Sequence, residues 1–68
     1  MNTITAREAI AEHVATMLAG GKITQDDMIN FLRAGNAEIS KRIESSLDSP
    51  MDASEARGLA LHIFTEIV

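Results

Sequence analysis

His13 and His62 are the only side chains of this 68-residue sequence whose ordinary charge change falls near neutral pH, and there is no cysteine. A zinc-type site built on them would need partner ligands at helical spacing, as in His-x-x-x-His or His-Glu-x-x-His, and neither pattern occurs. Catalysis through either imidazole would need a nucleophile and an orienting acid brought together in a cleft, which so short a chain has little room to build. Each histidine instead borders an apolar run, His13 beside Val14 and His62 between Leu61 and Ile63. Both read as residues at the margin of a buried face. No catalytic, cofactor-binding or metal-ligating residue is assigned, and no cofactor is expected.

Two fragments carry chemistry in other proteins. Gly21-Lys22-Ile23-Thr24-Gln25-Asp26-Asp27 resembles the end of an EF-hand calcium loop, but the earlier ligand positions would fall on Thr16, Leu18 and Gly20, which offer no carboxylate. Asp26 and Asp27 read instead as first-turn acids favoured by the helix dipole. Ser46-Leu47-Asp48 resembles the Asp-Ser-Leu signature of acyl carrier proteins. Here Ser45 stands in place of the aspartate, and the serine closes a helix rather than preceding one.

Charge narrows the function classes further. Ten acidic residues against six basic ones leave a net charge of −4, and the bases Arg7, Lys22, Arg33, Lys41, Arg42 and Arg57 are scattered, with only Lys41-Arg42 adjacent. Nucleic-acid binding draws on a clustered basic face, and single-strand binders add aromatic platforms. With two phenylalanines and no tryptophan or tyrosine, neither is provided, and autonomous nucleic-acid binding is not expected. The N-terminal residues lack a basic, apolar leader, and no stretch approaches the roughly 20 apolar residues of a membrane span. The expected location is the cytoplasm, away from membranes.

The elements that position these residues are set by punctuation and caps. Gly20-Gly21 and Ser49-Pro50 divide the chain into three segments. Each segment opens with a side-chain acceptor followed three residues later by a carboxylate: Thr5…Glu8, Thr24…Asp27 and Asp52…Glu55. Ile23 and Met28 are spaced to close as a hydrophobic staple around the second cap. Apolar residues then recur at steps of three and four: Ala6, Ile10, Val14, Met17 and Leu18; Met28, Leu32, Gly35, Ile39, Ile43 and Leu47; and Ala56, Leu59, Ala60, Ile63, Phe64 and Ile67. The sequence predicts one all-α domain over residues 1–68, with three helices at about 5–19, 24–47 and 52–67. Gly35-Asn36 could end one helix and cap another, or Gly35 could let a second helix approach closely. The stripe stays in phase across it, which favours one long helix, bent there.

A chain of this length buries roughly 60% of its unfolded surface, so its core is marginal, and the usual covalent staples are absent. A middle helix longer than its neighbours would leave apolar surface for another chain. The expected interface is Phe31, Leu32, Gly35, Ile39, Ile43 and Leu47, used in a homodimer by a non-enzymatic adaptor, inhibitor or regulator that binds another protein. From Ile23-Thr24 through Ile29-Asn30-Phe31-Leu32-Arg33-Ala34 to Asp48-Ser49-Pro50 and a short last helix, the layout is similar to the Hha/YmoA family. That resemblance implies a helical co-regulator of a nucleoid-associated protein. The sequence departs from the family at Gly35-Asn36 and in having no tryptophan in its last helix, and no site residue is carried over. A helix-turn-helix reader is a further alternative, opposed by Gln25, Asp26 and Asp27 at the start of its recognition helix. A small subunit of an enzyme is the competing class.

Overall fold

The computed structural model describes residues 2–42 and 47–67, in the order β1 (Thr3–Thr5), α1 (Ala6–Ala19), α2 (Gln25–Arg42), β2 (Pro50–Asp52) and α3 (Ala53–Ile67). The three caps form as the spacing predicts. Thr5 Oγ1 accepts from the Glu8 amide at 3.1 Å, and Asp52 Oδ2 accepts from the amides of Ser54 and Glu55. At α2 the box is reciprocal: Thr24 Oγ1 accepts from the Asp27 amide and Asp27 Oδ2 from the Thr24 amide, both at 3.2 Å. Each bond satisfies an amide that the first helical turn leaves without a partner.

The Gly20-Gly21 pair ends α1 in a Schellman turn. The Lys22 amide donates to the Met17 carbonyl at 3.0 Å and the Gly21 amide to that of Leu18 at 3.1 Å. This closure needs a left-handed residue, supplied by Gly21 at φ 71°. The staple residues Ile23 and Met28 both pack half-buried against the core.

The core takes Ala6, Ala9, Ile10 and Val14 from α1, Ile39 from α2, and Ala56, Ala60, Ile63 and Phe64 from α3. These are the stripes read from periodicity, with Met17, Met28, Phe31, Leu32 and Leu59 packed at the margin. At Gly35 α2 runs on without a break. A Cβ there would lie 3.1 and 3.3 Å from two carbons of Ile10 and 3.5 Å from Phe64, so the glycine admits this chain's own α1 and α3.

Two features differ from the sequence reading. The middle helix is described only to Arg42, and Leu47, expected as its last turn, stands in a turn where its carbonyl accepts from the Arg7 amide at 3.4 Å. Leu47 reaches the core from returning chain, so the in-phase spacing that placed it on the helix was coincidental. Ile43 lies outside the described residues. The second difference is a two-stranded antiparallel ribbon pairing Thr3 with Asp52, Ile4 with Met51 and Thr5 with Pro50. Pro50 is tolerated as the first residue of an edge strand, where no ladder amide is needed. Ile4 and Met51, directly opposite, form the half-buried face toward the core.

The return of the chain from α2 to the start of α1 makes these two helices antiparallel. The accessible surface is 4496 Å² and the radius of gyration 11.4 Å. Scaling for a folded monomer of this size gives about 4,200 Å² and about 11 Å, so the chain closes on itself about as well as a free-standing domain does. No helix among the described residues is long and apolar enough to cross a membrane.

Candidate interaction surface

The residues expected to face a partner are largely covered within the chain. Gly35 and Ile39 are buried, Ile39 at 1% exposure among the residues of α1 and α3. Phe31, Leu32 and Leu47 are half-buried against the same core, with Phe31 set 5.7 Å from the Phe64 ring, centre to centre. The stripe on α2 is thus used inside the protomer. Sequence periodicity reports that a face is buried and carries no information about what buries it.

Two large apolar side chains of the described surface stand out in the open: Ile29 at 51% and Leu61 at 57%. Ile29, on α2, borders neither of two hollows in the described surface. Leu61 stands beside one, a hollow of about 230 Å³ between α1 and α3 that is lined also by Ala9, Glu12, His13 and Arg57. A second hollow of about 380 Å³ opens at the start of α3, lined by Asn2, Asp52, Ala53, Ser54 and Arg57. Arg57 borders both hollows. It reaches across to α1 in an ion pair, with Arg57 Nε donating to Glu12 Oε1 at 3.0 Å and Arg57 Nη2 to Glu12 Oε2 at 3.5 Å. Both partners are half exposed, which limits the pair to about 1 kcal/mol or less.

His13, which lines the hollow beside Leu61, belongs to a cluster of rings. The His13 ring lies 4.9 Å from that of Phe64, which in turn packs against Phe31. His13 is therefore a half-buried wall residue, as its place in the sequence suggested. His62 lies exposed on α3 and meets Glu66 at 2.8 Å, while Arg42 bridges Glu66 and Glu38. Among the described residues no group of three or more histidine, cysteine, aspartate or glutamate side chains is placed to hold a metal ion.

One exposed flank of α3 carries no charge. Ser54, Gly58, Leu61 and Thr65 follow at steps of four, three and four, which places them in one row along the helix. All four are exposed. Gly58 is the unexpected member: a Cβ built on it meets nothing within 4 Å among the described residues, so no packing inside the chain requires a glycine there. Sequence reasoning passed over it because a single glycine in a helical pattern has no fixed meaning until its surroundings are known. No family model, no curated protein and no solved structure matches the chain.

Proposed function

We propose that this chain is a small non-enzymatic binding module that acts by docking another protein at the hollow between α1 and α3. The observation that carries the reading is Leu61, a large apolar side chain more than half exposed at the edge of a hollow walled by Ala9 and His13. An aliphatic side chain beside a preformed depression with a polar rim, here Glu12 and Arg57, suits a protein interface. The exposed glycine next to it supports the same reading, because it leaves the helix backbone open to close approach. Of the α2 face expected from the sequence to self-associate, Gly35 and Ile39 are covered by the chain itself, and Leu61 offers the more exposed apolar contact.

The test is site-specific photocrosslinking in the native host. A photoreactive residue at position 61 should yield a discrete adduct with one protein, and the same residue at Asn30, exposed on α2, should not. Equal labelling at the two positions, or none at position 61, would refute the proposal.

A further inference from the structure

The hollow beside Leu61 is lined by two charged side chains of opposite sign, Glu12 and Arg57, and by Ala9 and His13. Both charged groups stay more than half exposed even while they pair with each other. The chain as a whole carries a net charge of −4, so two copies repel one another over most of their surface. Copies meet without that repulsion only where both signs are presented together. At this hollow they are, and the rim sums to zero.

From this placement we infer that the protein docked at the hollow is a second copy of this chain, in a two-fold dimer where each Leu61 enters the other's hollow and each Arg57 meets the other's Glu12. The inference rests on the binding role proposed above and names the occupant. A two-fold axis brings a patch against itself, so the patch must hold each projection together with its receptacle. Leu61, 57% exposed, is the projection, and the hollow of about 230 Å³ beside it is the receptacle. The charges obey the same condition. A half-turn that brings Arg57 of one protomer to Glu12 of the other also does the reverse, so four charges of alternating sign close a ring. A rim of zero net charge selects neither a cationic nor an anionic surface of a foreign protein, whereas it complements its own copy. A core of this length is marginal and has no disulfide to support it, and burying Leu61 in a second copy adds to it.

The test is self-association of the full chain, followed by light scattering and analytical ultracentrifugation over a dilution series. The chain should run at twice its mass when concentrated and dissociate on dilution. Leu61→Asp should raise the dissociation constant about tenfold or more, whereas Ile29→Asp, at the other exposed large apolar residue, should leave it unchanged. Charge exchange separates a contact between copies from one within the chain. Glu12→Arg leaves two cations on the rim and Arg57→Glu leaves two anions, so each variant alone should dimerise about tenfold more weakly at low salt. An equimolar mixture of the two restores alternating signs across the axis and should dimerise about as tightly as the unmodified chain. All four substitutions are at exposed positions, and circular dichroism checks that each variant keeps its helices.

A chain that stays monomeric at millimolar concentration overturns the inference, and so does a dimer that ignores Leu61→Asp. A mixture that associates no more tightly than its two components overturns it as well, because the ion pair then acts within one chain only. A photocrosslink from position 61 that joins two copies supports both the inference and the binding role. One that joins the chain to a different protein overturns the inference while leaving the binding role standing.

Discussion

Gly35 and Gly58 sit inside helices, are replaced by alanine with the same chemical change, and are expected to respond with opposite sign. Alanine in a helix interior is favoured over glycine by about 1 kcal/mol, through lower backbone entropy in the unfolded chain. At Gly58 nothing lies within 4 Å of the new methyl group, so this gain is unopposed. Gly58→Ala should stabilise by about 1 kcal/mol and raise the melting temperature by about 4–8 °C for a domain of this size. At Gly35 the same gain meets Ile10 carbons at 3.1 and 3.3 Å and Phe64 at 3.5 Å. Ile10 is fully buried and branched at Cβ, so it cannot swing aside, and overpacking of this kind costs about 1–3 kcal/mol. Gly35→Ala should therefore be neutral to about 2 kcal/mol destabilising.

Urea denaturation followed by circular dichroism at 222 nm measures both variants. The backbone term is common to the two, so the difference between them isolates the steric term. A gap of about 1–3 kcal/mol corresponds to midpoints about 1 M apart or more at the slope typical of small domains. If Gly35→Ala stabilises as much as Gly58→Ala, then α1 does not close on α2 at Ile10 as described. If Gly58→Ala destabilises, the glycine serves the fold, and its use as evidence for a docking face is lost.

Other substitutions test the caps and the core. Ile39→Asp places a carboxylate at a site 1% exposed and should leave the chain unfolded, while Ile29→Asp at 51% exposure should change stability by no more than about 0.5 kcal/mol; a folded Ile39→Asp protein would refute the core assignment. Thr24→Ala breaks a reciprocal cap and should cost about 0.5–2 kcal/mol, read as a lower midpoint at unchanged slope. Ile4→Ser removes one half of the inward pair of the ribbon, and the Ala53 amide, which donates to the Asn2 carbonyl at 3.1 Å, should exchange with solvent about tenfold faster. Unchanged exchange at Ala53 would show that the ribbon is held by something other than this pair.

The helices were legible because each carries its signals locally. Thr5, Thr24 and Asp52 announce starts within four residues, Gly21 announces a stop by the conformation only glycine adopts freely, and steps of three and four mark the buried faces. The ribbon was not, because three residues are too few to show an alternation, and its partners lie nearly fifty positions apart in sequence. Leu47 failed for a related reason: phase alone cannot distinguish a residue on a helix from one that returns to the same side of it. The face expected on α2 shows a limit at a different level. Apolar spacing identified Gly35 and Ile39 as buried, correctly, and only tertiary structure shows that Ile10, Ile63 and Phe64 of the same chain complete that core.

The ribbon connects the fold to the proposed role. α1 and α3 already pack on each other through the core and through the Glu12–Arg57 pair. Pairing of Thr3–Thr5 with Pro50–Asp52 also fixes the two starts at the ends of one ribbon, and each cap residue, Thr5 and Asp52, is also a residue of that ribbon. The two helices that flank the hollow beside Leu61 are therefore held by the core and by the hydrogen bonds that begin them. A hollow held in this way loses little conformational freedom on binding, so a modest apolar contact at Leu61 retains more of its value as affinity. The Glu12–Arg57 pair at the edge of the hollow is half exposed and contributes little to folding. A fold of three short helices can in this way spend most of its large apolar side chains on its own core and still present one exposed leucine beside a hollow whose walls are fixed.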